Sequence, residues 1–344
     1  MRVFITSYPG PELERAVARL VGLHAASDRR HELTSSPDTA DIILVVGIGN
    51  TPRENEYLDQ LAELDVIRKH ANKCFTISHR AEPLVLNRGI YESARSNLLT
   101  WGRVKTGGYA CSGSFNSHVK SHVATSARDR GKKYLLSFVG RRSHPIRQRL
   151  FDIQFSRSDV LIKDSSDFRM WSEKDPTVRE DRQREYYEIL LATKFSLCPR
   201  GIGAGSIRLF ESLKLGVVPI VISDGWIAPR CAEWSRCTIT VKERHILDVE
   251  RIASEHESKY EEMSRLAIDC YESRFSEASY FNYIVESCTS MARTQVVPES
   301  VLWSMRRPIV KVSKIGRSLR RNRTIKRLVR GFGGDAGLTS RSWT

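Results

Sequence analysis

The residues with the clearest capacity for chemistry lie in one stretch, from Lys194 to Asp224. A predicted strand there runs into Cys198-Pro199-Arg200, and a glycine-rich turn separates it from a predicted helix. Glycines ahead of a helix let backbone N–H groups approach an anion, and the helix dipole favours negative charge at that end. Arginine adds bidentate hydrogen bonds to phosphate oxygens. The stretch therefore predicts a diphosphate site made by Arg200, Gly201, Gly203, Gly205, Ser206 and Arg208.

Two acidic residues extend this prediction in different directions. Glu211 follows one helical turn later and is placed to accept hydrogen bonds from a ribose diol, while Ser206 is a suitable N-cap. Asp224 ends the next predicted strand, where a dinucleotide-binding fold carries its ribose-binding acid, so an NAD-dependent oxidoreductase is one alternative. Against that alternative, Ser206 stands at the third glycine position of the G-x-G-x-x-G pattern. A glycine turn that only connects a strand to a helix is the other alternative.

The same stretch resembles the donor-binding segment of the exostosin family of glycosyltransferases. The matching motifs are Cys198-Pro199-Arg200-Gly201, Ser206-Ile207-Arg208-Leu209-Phe210-Glu211-Ser212-Leu213, Gly216, Val218-Pro219-Ile220 and Ser223-Asp224. Upstream, Leu136-Ser137-Phe138-Val139-Gly140 precedes three basic residues, Arg141, Arg142 and Arg147, which resemble the family's arginine-bearing helix start. The resemblance covers roughly residues 134–290. A shorter match, Gly89-Ile90-Tyr91-Glu92-Ser93, resembles a turn of some bacterial members.

This resemblance implies a GT-B fold, in which two Rossmann-like domains face each other across a cleft and the C-terminal one holds a nucleotide sugar. It implies a UDP-sugar donor, a glycan, glycolipid or glycoconjugate acceptor, and transfer with inversion at the anomeric carbon. Arg141, Arg142 and Arg147 then join the residues above as donor-binding side chains. Arginines and the helix dipole would stabilise the leaving diphosphate, so neither a metal ion nor a cofactor is expected. The chain has no D-x-D motif.

Inverting transfer also needs a general base near the acceptor hydroxyl. The loop after the third predicted strand offers His79 and Glu82, because α/β proteins place their sites at the carboxyl ends of strands. An ordinary polar surface loop is the alternative interpretation. His118 and His122 are weaker candidates in a polar segment further along.

The hydrophobic pattern supplies two sets of elements to position these residues. Predicted strands at Val3–Thr6, Ile42–Val46 and Cys74–Ile77 alternate with helices at Pro11–His24 and Glu54–His70. After a polar segment at 112–133, strands are predicted at Tyr134–Val139, Phe195–Cys198, Val217–Ser223 and Thr238–Val241, and helices at Pro145–Ile153, Asp181–Ala192, Ser206–Leu215, Leu247–Ser273 and Ala278–Arg293. This pattern predicts an α/β protein with two parallel sheets. We divide it into an acceptor-side domain at 1–125, a donor domain at 126–300 and a basic tail at 301–344.

The charge of the chain is concentrated in that tail. The formal net charge is +15, and eleven Lys and Arg with no acidic residue lie between Met305 and Gly331, so the rest of the chain carries only about +4. Apolar residues at helical spacing, such as Ile309, Val312, Ile315 and Leu319, predict a basic amphipathic helix that binds an anionic membrane surface through residues 305–332. A terminal helix over Val301–Leu319 that packs on the N-terminal domain is the alternative.

Nucleic-acid binding through the tail is a further alternative, which we do not favour because the tail has few aromatic side chains for stacking. The seven cysteines are an odd number and include no C-x-x-C pair, so we expect neither a disulfide framework nor a zinc site. Together these features predict a cytoplasmic enzyme, peripheral on the cytoplasmic face of the membrane.

Overall fold

The computed structural model describes residues 1–8, 10–47, 54–78, 86–95, 102–107, 116–122, 131–169 and 172–312. Within these residues the chain forms two parallel β-sheets, flanked by helices. The α/β class and the two parallel sheets predicted from the sequence are confirmed.

The N-terminal sheet has six strands, all parallel, in the order β2-β1-β3-β4-β5-β6. The strands are β1 Arg2–Ser7, β2 Glu32–Leu33, β3 Ile42–Gly47, β4 Cys74–Ser78, β5 Gly89–Tyr91 and β6 Val104–Thr106. Its helices are α1 Pro11–Ala26, α2 Glu54–Ala62 and α3 Asp65–His70. β3 is buried along its whole length, as its unbroken apolar run predicts for a central parallel strand.

The C-terminal sheet has five parallel strands in the order β11-β10-β9-β7-β8. The strands are β7 Tyr134–Gly140, β8 Val160–Asp164, β9 Thr193–Pro199, β10 Val218–Ile222 and β11 Ile239–Val241. The helices, after α4 at Ser117–Ser121, are α5 Pro145–Phe151, α6 Pro176–Leu191, α7 Ile207–Lys214, α8 Trp234–Cys237, α9 Val249–His256, α10 Tyr260–Arg274, α11 Tyr280–Thr294 and α12 Glu299–Ser304.

Several predicted elements differ from the observed ones, each for a local reason. The predicted helix Glu54–His70 is two helices, because Leu64 has an extended backbone and is the N-cap of α3. The predicted helix Leu247–Ser273 is likewise divided by a 3-10 turn at Glu257–Lys259. α6 begins five residues earlier than predicted, since Asp175 caps it and Pro176 occupies its first turn. The short strands β2, β5, β6 and β8 and the helix α4 were not predicted, because two to five residues carry little periodic signal.

The end of the described chain returns to the N-terminal sheet. α11, which lies inside the predicted domain 126–300, contacts β3, β5 and α1. Glu299, the first residue of α12, is ion-paired with Arg88 and Arg103 of the N-terminal half. Residues 306–312 are helical, and Trp303 and Val310 are buried in the cluster around Tyr57 and Leu58. Residues 301–312 therefore pack on the N-terminal half, as in the alternative helix Val301–Leu319, but as two helical pieces separated at Met305, and residues 313–319 lie outside the described part of the chain.

One hydrophobic cluster joins the two halves. It contains residues of β1, β3 and β4 from the N-terminal sheet together with residues of α7, α10 and α11. The segments after β5 and β10 also meet directly, because the Ile227 amide donates to the Ala94 carbonyl at 3.0 Å and Arg95 forms an antiparallel bridge with Trp226. The carboxyl ends of both sheets are thereby held at a common boundary.

Candidate functional site

The sheet order identifies where a ligand would bind in the C-terminal half. β7 is followed in sequence by β8 on one side and, after α6, by β9 on the other. The chain thus changes direction across the sheet between β7 and β9, and in open α/β sheets the crevice at the carboxyl edge of such a switch point is the usual ligand site. Gly140 ends β7 there and Arg200 follows β9, so two of the predicted motifs meet at this edge.

Arg200 and Arg147 are brought together at this edge. The Arg147 side chain, on the first turns of α5, donates to the carbonyls of Arg200 at 3.0 Å and Pro199 at 3.1 Å. Arg200 is only 9% exposed, and its guanidinium donates to the Ile202 carbonyl at 3.3 Å. Gly201 leaves room beside them, because a Cβ there would lie 3.2 Å from the Arg147 guanidinium and would crowd it. The glycine thus lets the two arginines share one small region.

Unused hydrogen-bond donors mark the same region. The Nε–H groups of Arg141 and Arg200 are buried and have no acceptor within the part of the chain that the structure describes. Buried guanidinium groups usually have an anionic partner. The arrangement can therefore accept an anion at the carboxyl edge of β7 and β9.

Arg208 and Glu211 lie below the turn, inside the domain. Arg208, on α7, donates to the carbonyls of Val139 and Leu197 and lies 4.5 Å from the centre of the Phe138 ring. Glu211 is 3% exposed and accepts hydrogen bonds from the Tyr186 hydroxyl at 2.7 Å and the Asn116 amide at 3.2 Å. Burial raises the pKa of the Glu211 carboxyl, whereas these two hydrogen bonds lower it. Both side chains are occupied by protein groups, so a ribose contact for Glu211 stays a prediction.

Arg142 lies apart from the other arginines of the predicted set. Its side chain is exposed and pairs with Asp164 at 2.6 Å and with Asp152 at 3.7 Å. It also covers the Phe151 ring at 4.5 Å. These contacts tie the start of α5 to the end of β8, and they leave Arg142 with partners on the outer surface.

The glycine turn is attached to the N-terminal half. The Gly205 amide donates to the Ser93 hydroxyl at 2.7 Å. Ser206 is the N-cap of α7 but makes no side-chain capping bond, and Ile202 is 80% exposed at the tip of the turn. Ser93 was not among the predicted site residues, although it ends the Gly89-Ile90-Tyr91-Glu92-Ser93 match. That match was the available signal for this contact.

The conformation of that motif explains its residue types. Gly89 has a φ of +152°, and a Cβ there would lie 2.0 Å from the Thr76 carbonyl oxygen. Tyr91 is fully buried and its hydroxyl donates to the Asn87 carbonyl at 2.7 Å. Because the glycine and the tyrosine fix β5 against β4, Ser93 is held at the boundary between the two sheets.

Two further groups line the carboxyl edge. His144 is the N-cap of α5, and its Nδ1 accepts a hydrogen bond from the Ile146 amide at 3.2 Å. Burial lowers the pKa of His144, which favours the neutral imidazole that this bond requires. Asp224 exchanges hydrogen bonds with Glu243, each carboxylate accepting from the other residue's amide at 3.0 to 3.1 Å. Asp224 therefore links the ends of β10 and β11.

The candidates for the general base are placed differently. His79 and Glu82 lie outside the described residues. His118 pairs with Glu180 at 2.8 Å and stacks on Tyr187, and His122 bonds the Tyr187 hydroxyl at 2.8 Å. Both histidines therefore fasten α4 to α6.

Two further features of the described residues concern metal binding and membrane insertion. Across 1–312, leaving aside the undescribed gaps, no three His, Cys, Asp or Glu side chains are grouped as metal ligands. In the same part of the chain no helix combines the length and apolarity needed to cross a membrane.

The region that contains this site is similar to known proteins. Residues 112–256 match the family model of the exostosin GT47 domain, so the family resemblance predicted from the sequence is confirmed for the region that contains the switch point. Exostosin-1 of Drosophila melanogaster is 35% identical over 130 residues, which are 34% of this chain and 17% of that protein. The Exostosin-1 homolog of Caenorhabditis elegans is 31% identical over 156 residues, 41% of this chain and 40% of that protein. The chain thus spans less than half the length of either relative.

Among solved structures, an α1,3-fucosyltransferase aligns with a TM-score of 0.38 and 14% identity, covering 86% of this chain and 91% of the other. The same enzyme with GDP-fucose aligns with a TM-score of 0.38 and 15% identity, covering 87% and 92%. The two parallel sheets of the chain, of six and five strands, agree with the GT-B architecture expected from the sequence.

Proposed function

We propose that this chain, whose residues 112–256 match the exostosin GT47 domain model, transfers a sugar from a nucleotide-activated donor to a hydroxyl of a glycan or glycoconjugate. The group of arginines at the switch point carries this proposal. Arg141, Arg147 and Arg200 lie around the carboxyl ends of β7 and β9, next to the start of α7. Cationic donors beside a helix N-terminus suit a diphosphate, and a UDP-sugar is the donor class that the family resemblance implies.

The chemistry proposed for this site is direct inverting transfer. The acceptor oxygen attacks the anomeric carbon as the bond from that carbon to the diphosphate oxygen breaks, and a base takes the hydroxyl proton. Negative charge then develops on the leaving diphosphate. Arg141 and Arg200 each carry a buried N–H group with no acceptor among the described residues, so these groups are available to hold that charge.

We further propose that transfer needs no divalent metal, because the arginines and the start of α7 supply the positive charge. Incubation with EDTA should leave the rate of transfer unchanged. A rate that falls on chelation and returns on adding manganese or magnesium would contradict this part of the proposal.

Donor binding can be measured apart from transfer. Titration of UDP and of UDP-sugars in a calorimeter should show binding to the parent protein, and Arg200→Ala should weaken it by about 10- to 150-fold, the value of one charge-assisted hydrogen bond. Arg251→Ala is the matched control, since Arg251 is an exposed arginine paired with Glu255 and Asp248 on α9. Equal affinities in the parent and in Arg200→Ala would refute the arginine site.

The base remains assigned by hypothesis to His79 or Glu82. Each is tested by comparing His79→Ala and Glu82→Gln for transfer and for donor affinity. Loss of transfer with donor affinity retained would support a base at that position. Retention of transfer by both variants would remove the assignment.

Peripheral attachment to an anionic membrane also stands as a proposal, in a modified form. Ile309 packs against the N-terminal cluster, and Arg306 pairs with Asp59 at 2.9 Å. These two residues were predicted to face lipid, and their contacts within the protein prevent this. The exposed apolar side chains of this segment are Val296, Val297, Val301, Met305 and Val312, and Val296 is 92% exposed. They lie close in sequence to the basic residues of the tail, and this combination suits binding to an anionic membrane surface.

Liposome co-sedimentation tests this surface. Binding should require anionic lipid, weaken with salt and fall on truncation after Ser318. Val296→Glu should also weaken it, whereas Val21→Glu, a change at an exposed valine of α1, should not. Sedimentation that is indifferent to lipid charge would exclude the attachment.

A further inference from the structure

Two cysteines that are far apart in sequence meet where the loop after β10 packs on α10. The sulfur atoms of Cys231 and Cys270 are 2.7 Å apart, although 39 positions separate the residues. Cys231 lies in the loop between β10 and α8 and is partly exposed, whereas Cys270 lies on α10 and is buried. A disulfide bond is about 2.05 Å long, so the two sulfurs need to approach by only about 0.7 Å to form one.

We propose that Cys231 and Cys270 are a redox-active thiol pair, which a low-molecular-weight disulfide such as oxidised glutathione converts into an intrachain disulfide. In the first step the Cys231 thiolate attacks one sulfur of that disulfide and displaces a thiolate, which takes up a proton. The Cys270 thiol then loses its proton and attacks the Cys231 sulfur, and the second small thiol leaves. Two protein thiols are oxidised and one external disulfide is reduced to two thiols.

The surroundings favour Cys231 as the attacking residue. The Cys270 thiol donates a hydrogen bond to the Cys231 sulfur, and this bond together with the Glu233 amide lowers the pKa of Cys231 to about 7. The same contact raises the pKa of Cys270, as do a hydrogen bond with the Cys237 thiol and burial. The accessible member therefore carries the thiolate, and the buried one resolves the mixed disulfide.

The loop that contains Cys231 also joins the two halves of the molecule. Its Ile227 amide donates to Ala94, Trp226 bridges Arg95, and Arg230 donates to the Ser290 hydroxyl on α11 at 3.1 Å. α10, which carries Cys270, packs on α7 and α8. Oxidation would therefore link covalently the boundary loop and α10, the helix that packs on α7.

Free-thiol titration and peptide mapping of the full chain test this pair. Oxidised glutathione should remove two free thiols, and mass spectrometry should find a peptide containing Cys231 joined to one containing Cys270, with a higher Tm that dithiothreitol reverses. Cys270→Ser should stop at a glutathione adduct on Cys231, and Cys231→Ser should form neither adduct nor cross-link.

Cys74→Ser is the control, because Cys74 is buried, its thiol donates to backbone carbonyls, and burial raises its pKa to about 12. It should still form the cross-link. Unchanged free-thiol numbers in the parent protein, or a cross-link that joins any other pair, would overturn the proposal. None of these measurements depends on transfer activity.

Discussion

The hydroxyl of Ser93 accepts a 2.7 Å hydrogen bond from the Gly205 amide, so a residue of the N-terminal half holds the glycine turn of the C-terminal half. Ser93 is itself buried, at the carboxyl end of β5. The contact fixes the turn at the edge of the sheet where Arg200 lies.

Replacing Ser93 with alanine should therefore cost stability. We expect Ser93→Ala to lower the free energy of unfolding by about 1 kcal/mol, the net value of one hydrogen bond, as measured by urea denaturation. Ser223→Ala is the control, since that buried hydroxyl has no partner among the described residues. A Ser93→Ala protein as stable as the parent would show that the contact contributes nothing to folding.

The buried pair of Tyr186 and Glu211 gives a second prediction. Glu211→Leu and Tyr186→Phe should each destabilise the fold by about 1–3 kcal/mol, because each leaves a buried polar group without its partner. The double variant should be less destabilised than the sum of the two, with a coupling of at least about 0.5 kcal/mol. Strict additivity in a double-mutant cycle would mean that the two groups do not interact.

Glu299 anchors the returning segment and should be among the most sensitive positions. Its carboxylate is 2% exposed, between Arg88 and Arg103. Glu299→Ala leaves these cations without that partner and should destabilise the protein by about 3–5 kcal/mol, as measured by urea denaturation. Glu262→Ala removes an exposed partner of Arg236 and should cost at most about 1 kcal/mol. Similar effects of the two changes would argue against a buried anchor.

His144 predicts a dependence of stability on pH. Its pKa is lowered in the folded protein, chiefly by burial, so the neutral form is the one that the fold favours. This contribution is complete above the ordinary histidine pKa of about 6.5 and is lost as the pH falls through the lowered value. His144→Asn keeps a capping side chain that does not titrate. The Tm of the parent should therefore fall more steeply than that of His144→Asn between pH 7 and pH 5, and parallel curves would contradict the role of His144.

The strong periodic signals of the chain were sufficient for the fold class. Ile42–Gly47 and Val218–Ile222 are short, Val- and Ile-rich apolar runs typical of buried parallel strands, and both are interior strands of their sheets. Short elements with weak periodic signals were not predicted, because tertiary contacts stabilise them. β5 has three residues and is a strand because Gly89 can approach Thr76 closely, which no propensity would indicate.

For the candidate site, too, some features followed from the sequence and others only from the tertiary structure. By itself, the sequence determined the residue types around the glycine turn, because a motif of adjacent residues is a local property, and it determined the two-sheet architecture through hydrophobic periodicity. Only the tertiary structure decided that Arg147 and Arg200 meet at the switch point, that Arg142 and Glu211 have protein partners, and that Ser93 reaches Gly205. It also decided that Cys231 and Cys270 are in contact. These contacts join residues 39 to 112 positions apart, except for the shorter separations of Arg142 and Glu211 from their partners. Contacts between residues so far apart in sequence are decided by how helices and sheets pack, and packing depends on all the buried surfaces at once.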